Sequence, residues 1–141
     1  MNSDPAPPPA GPPPQVRAAG VLVGLEALLG LGFAVALVVR SLSSEFGAGA
    51  VLGEAALFAL MALALLAVAA GLLTGRRGAR TPAIVTQLLL LPVVYSLIGP
   101  SRQLVLGLVS GAVVITAFML LISEPSRYWS MGVDRPGSPR T

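Results

Sequence analysis

The residues of this chain that could do chemistry are few, and the first of them is Glu26. It is the single carboxylate in residues 18–39, AAGVLVGLEALLGLGFAVALVV, an otherwise apolar run of 22 residues. A run that long reaches about 33 Å as a helix, enough to cross a hydrocarbon core of roughly 30 Å. Glu26 then sits about 12 Å below one boundary. A charge at that depth costs at least ~2.5–3.5 kcal/mol, so the carboxyl must be protonated, hydrogen-bonded or turned to a hydrated cavity. When the later apolar runs are laid out by depth, Gln87 and Thr116 fall in the same layer and are its candidate partners. Two uses fit such a group. It can mark a proton or cation path, as ionisable residues inside spans often do. More simply, it can be a neutral acid that locks helices together through hydrogen bonds to Gln87 or Thr116.

A second polar layer forms toward the opposite boundary from Glu54, Tyr95 and Ser110. Glu54 is near enough to the interface to stay hydrated, and a carboxylate in the first turn of a helix is favoured by its dipole. The two glutamates lie roughly 12 Å apart in depth, too far to act as a catalytic carboxylate pair. Cysteine, histidine and lysine are all missing, and the nine basic residues are all arginine. Thiolate and imidazole catalysis, Cys/His zinc sites, Schiff-base chemistry and a phosphate loop with its lysine are therefore excluded. No nucleophile–base pair or metal cluster is visible, and the expectation is a protein without cofactor that is not an enzyme.

The elements that must position these residues are long apolar helices. Charged residues make up 11% of the chain against 55% hydrophobic, and the mean hydropathy is +0.84. A soluble domain carries nearer ~25% charged residues. The reading is an all-α polytopic membrane protein, an antiparallel bundle of four transmembrane helices with disordered tails. The spans cover about residues 18–39, 50–73, 82–98 and 104–122, within one membrane domain at 16–130. Residues 1–15 hold seven of the thirteen prolines and read as a disordered tail, as do residues 131–141. Tyr128 and Trp129, just beyond the fourth span, read as interfacial anchors. Pro92 interrupts the third span and is a candidate kink.

Arginine placement sets the orientation. Arg17, Arg76, Arg77, Arg80, Arg127, Arg135 and Arg140 fall on one side of the four-span layout, and only Arg40 and Arg102 on the other. The excess puts both termini in the cytoplasm of a multi-pass plasma-membrane protein. The net charge of +3 is distributed as topology requires and does not read as a nucleic-acid footprint. Lipid gives helices no hydrophobic reason to associate, so small residues must let backbones approach. Gly20 and Gly24 in the first span, and Gly107 and Gly111 in the fourth, have that GxxxG spacing; the alanine-rich second span offers further small surface. Packing within the bundle and a seam between copies both use this pattern.

The segment RGARTPAIVTQLLLLPVVYSLI and the exit LLISEPSR resemble small uncharacterised actinobacterial integral membrane proteins. That resemblance implies four helices and no particular activity. By architecture the chain is also similar to the small multidrug-resistance transporters, four-span proteins with an essential glutamate in the first span, where Glu26 stands. It departs from them in having no tryptophan or tyrosine in its first two spans, where an aromatic cage for organic cations is expected. Two functions follow as expectations. One is a non-enzymatic accessory or scaffold component whose partners are the lipid bilayer and a homo-oligomer or larger membrane complex. The other is a small proton-coupled transporter using Glu26.

Overall fold

The computed structural model describes residues 11–42, 48–99 and 104–132. Every element among them is helical: α1 (Pro14–Ser41), α2 (Ala48–Leu73), a single 3-10 turn at Arg77–Ala79, α3 (Arg80–Ile98), α4 (Leu104–Ile122) and α5 (Glu124–Met131). The first four helices are long and apolar enough to cross a membrane. The fold is therefore the all-α, four-span architecture expected from hydropathy. Most of the tail assignments, at residues 1–10 and 133–141, lie outside the described residues.

α1 starts earlier than the apolar run does. Pro14 and Gln15, expected in the tail, form its first turn. Pro13 is extended, at φ −62° and ψ 158°, and its carbonyl accepts from the amides of Val16 at 3.0 Å and Arg17 at 3.2 Å. Proline suits the following position because an amide there has no intrahelical acceptor and the ring presets φ. α2 ends with Gly75 in the left-handed region, at φ +79°. The Arg76 amide returns to the Gly71 carbonyl at 2.8 Å and the Gly75 amide to that of Leu72 at 3.2 Å. This pair satisfies carbonyls that a helix end would otherwise leave bare, and a side chain at Gly75 would be strained. α3 runs through Pro92 as one helix, with the proline facing outward.

Packing follows the small residues. A Cβ added at Gly20 would meet the Leu73 and Leu72 side chains at 3.0–3.2 Å, one at Gly24 would meet Ala69 at 3.7 Å, and one at Gly30 would meet Ala62 at 3.6 Å. Residue numbers on α2 fall as those on α1 rise, so the two helices are antiparallel in close contact. Phe33 and Phe58 continue the seam as an edge-to-face pair with centroids 4.8 Å apart. A second seam joins α3 to α4: Gly107 would meet Ile98, and Gly111 would meet Val94 at 3.1 Å. α1 also packs on α4, while α2 and α3 touch only slightly. The core gathers where the helices converge at the arginine-rich end, around Val16, Val23, Leu72, Ala83, Leu121 and Trp129. Outward faces carry Val21, Leu28, Leu57, Leu89, Leu108 and Ile115, as a surface solvated by lipid tails should.

All four glycines of the GxxxG pairs thus take part in packing inside one chain. Gly107→Ala is the sharpest test, because its Cβ would lie 2.5 Å from Ile98 Cγ1 and 3.0 Å from the Ile98 backbone nitrogen. We expect it to destabilise the bundle by about 1–3 kcal/mol, whereas Gly53→Ala, which meets nothing within 4 Å, should leave it unchanged. Denaturation in mixed micelles of increasing SDS content reads both.

Candidate functional site

Glu26 lies midway along α1, on a half-buried face between the buried residues Val23 and Ala27. Gln87 lies on α3 one turn beyond buried Ala83, and is itself only 1% exposed. The two meet. Gln87 Nε2 donates to Glu26 Oε2 at 2.7 Å, a bond between residues 61 apart in the chain that ties α1 to α3. No other ionisable side chain approaches from the packed helices: α4 contains none, and α2 only Glu54, near its opposite end.

The pair is incompletely satisfied. Glu26 Oε1 and Gln87 Oε1 are both buried without a hydrogen-bond partner among the described residues. An ionised carboxylate accepts only, so it leaves both oxygens as orphan acceptors beside a buried charge. A carboxylic acid carries an O–H and can supply the missing donor. The arrangement is chemically suited to holding one proton between an acid and an amide. Nothing in it resembles a nucleophile with its base.

Thr116 does not join this pair. It faces outward on α4, and its hydroxyl donates to its own helix at Ala112 O, 2.6 Å away. Depth alone suggested the layer, but the helix's rotation turns Thr116 toward lipid, where back-bonding is the only way to satisfy a hydroxyl. Thr86 does the same to Pro82 O at 2.7 Å, and Thr74 to Ala70 O at 2.7 Å.

The outer layer does not assemble as a site. Glu54 is exposed on α2, Tyr95 is 74% exposed on α3, and Ser110 is half-buried on α4. Among the described residues no hydrogen bond joins the three. The reason is topological: α2 is packed on α1 and α3 on α4, so equal depth does not bring Glu54 to Tyr95.

Sequence reasoning missed a second polar cluster at the opposite end of the same seam. Arg80 Nε donates to the Leu121 carbonyl at 2.8 Å, and Nη1 to Ser130 Oγ at 3.2 Å. Ser126, fully buried, donates to Leu120 O at 2.7 Å and lies 3.1 Å from Ser123 Oγ. These bonds cap the last carbonyls of α4. α5 makes them possible, and Trp129 on it is an inward residue, 9% exposed and part of the core, rather than the interfacial anchor expected. Start and stop signals for α5 were present: Ser123 before it, Pro125 in its first turn and Gly132 as a left-handed cap at φ +69°. Eight residues with few apolar side chains gave too weak a periodicity to reveal it.

Comparison with protein-family models, with curated proteins and with solved structures finds no match to this chain.

Removing one member of the Glu26–Gln87 pair should be worse than removing both. Gln87→Leu leaves the carboxyl with no partner and should destabilise the bundle by about 1–3 kcal/mol. Adding Glu26→Leu should restore most of that loss, because two apolar residues leave no buried polar atom. A double-mutant cycle in SDS-containing micelles measures the coupling, for which ~0.5–2 kcal/mol is expected.

Proposed function

We propose that this chain is a non-enzymatic accessory or scaffold component of the plasma membrane, with both termini cytoplasmic, that works through an outward helix face. One observation carries the reading. Gly20, Gly24, Gly107 and Gly111, the GxxxG glycines of the first and fourth spans, are engaged inside the bundle, but α2 keeps a face rich in small residues that meets no other described helix. Gly49, Gly53, Ala56 and Ala67 are all exposed, and at 3.6 residues per turn they fall within a sector of about 60°, with exposed Leu60 as the one large side chain among them. A Cβ at Gly49 or Gly53 would meet nothing within 4 Å among the described residues. Small residues on a lipid-facing surface let another helix approach closely, which is the main source of attraction between helices in a bilayer. The occupant of this face is a second copy or a helix of a larger complex.

The mass of the full-length protein in mild detergent tests this. A homo-oligomer, or a stoichiometric second protein, is the expected result. The pair Gly53→Leu with Ala56→Leu should break either assembly at least about tenfold, while helix content and SDS resistance stay as in the parent. A monomer that the substitutions do not alter would overturn the reading.

A second reading, a small proton-coupled transporter, is favoured by the leftover oxygens of Glu26 and Gln87, which suit a site that gains and loses a proton. In liposomes loaded with a pH-sensitive dye it predicts proton flux that Glu26→Gln abolishes. Flux that persists in the variant, or is missing in the parent, discards it.

A further inference from the structure

α5 turns back across the arginine-rich end of the bundle instead of leaving it. Its buried side, Ser126 and Trp129, is set into the core, and its polar side carries Arg127 and Ser130 to Arg80. The Arg80 guanidinium is held from two directions, by the Leu121 carbonyl at the end of α4 and by the Ser130 hydroxyl. Those bonds use two of its five N–H groups. Arg127 stands close enough to Arg80 to repel it. Arg77 reaches the same corner, its Nη1 lying only 2.7 Å from where a Cβ on Gly132 would be. Among the described residues none of these three arginines forms an ion pair, and the only acid on α5 is Glu124.

Topology alone does not call for this arrangement. An arginine in a loop exerts its effect on orientation wherever its side chain points. Here one guanidinium is instead fixed to a helix end, and a second stands beside it on a helix that folds back onto the core, against their mutual repulsion. Guanidiniums gathered at one corner with unused N–H groups, and with no carboxylate paired to them among the described residues, are complementary to a phosphate, which accepts several such bonds at once. The location selects the source. The corner sits at the end of two spans, beside Ile122 at the lipid-facing end of α4, where headgroup phosphates lie and acyl chains can follow the apolar faces of α3 and α4.

We propose that Arg80, Arg127 and Arg77 form a binding site for the phosphate of an anionic glycerophospholipid headgroup. The lipid bridges the start of α3 to α5, which Ser126 and Trp129 already seat on the bundle. Arg80 is the positioned ligand, and Arg127 and Arg77 supply the charge that distinguishes anionic from zwitterionic headgroups.

The test uses the full chain in mild detergent, titrated with dioleoyl phosphatidylglycerol or dioleoyl phosphatidylcholine, with bound lipid counted by native mass spectrometry. Phosphatidylglycerol should bind more tightly than phosphatidylcholine. Arg127→Gln, on an exposed residue, should weaken phosphatidylglycerol about fivefold and leave Trp129 emission unchanged, showing that α5 is still docked. Arg17→Gln, an exposed arginine of the same end outside the corner, should alter binding less than twofold. Equal losses in the two variants would reduce the site to the general field of the basic end and overturn the proposal. So would equal binding of the two lipids, or displacement of phosphatidylglycerol by millimolar inorganic phosphate, which would mark a site for the free ion. If Arg127→Gln shifts Trp129 emission, Arg77→Gln takes its place, with the same fivefold criterion.

Discussion

Close approach of backbones at glycine and alanine is the constraint on which this bundle depends. Apolar side chains gain nothing by leaving lipid for one another, so helices associate only where their surfaces fit closely enough for dispersion contacts to exceed those with acyl chains. Gly20, Gly24 and Gly30 provide that fit against α2, and Gly107 and Gly111 against α3. The result is two tight antiparallel pairs, joined where α1 meets α4. Larger residues appear where the seams have room, as with Phe33 and Phe58, and on the outward faces, where the neighbour is fluid.

Polar groups are handled by the same logic, because the bilayer core holds no water to satisfy them. Thr74, Thr86 and Thr116 close onto carbonyls of their own helices. The last carbonyls of α4 are taken by Arg80, Ser123 and Ser126. Against this background the Glu26–Gln87 pair is unusual. It crosses between helices that are not sequential, and, like Gln15 Oε1 at the start of α1, two of its buried oxygens find no donor among the described residues. The bond itself serves as an interhelical tie, and the two leftover oxygens are the observation on which the proton-holding proposal rests.

The two ends of the bundle differ in character. At one, α5, the 3-10 turn and the start of α1 form a cationic cap over a well-packed core. At the other, Glu54 and Tyr95 face outward without engaging each other. A surface of small residues remains along α2. The outward face of α2 and the cationic cap occupy separate parts of the molecule, so the proposed helix partner and the proposed lipid do not compete for one surface.

The sequence by itself determined the number, length and order of the spans, and the asymmetry of their arginines. These depend on one-dimensional quantities: how many apolar residues stand together and where charge interrupts them. Depth could also be counted along each span, and it put Gln87 level with Glu26, where the bond between them is found. The rotation of each helix about its axis was decided only by the tertiary structure. Hydrophobic residues surround these helices on every side, so the pattern that marks the buried face of a soluble helix is missing. Thr116 was thus assigned the right depth for Glu26 but faces lipid, and Glu54 and Tyr95 were assigned to one layer although their helices pack on different neighbours. Trp129 reads locally as a residue for the interface. It is buried because α5 folds back onto the bundle, and its neighbours in the core, Val16, Leu72 and Leu121, come from three separate helices. Such an environment exists only once all of them have packed together.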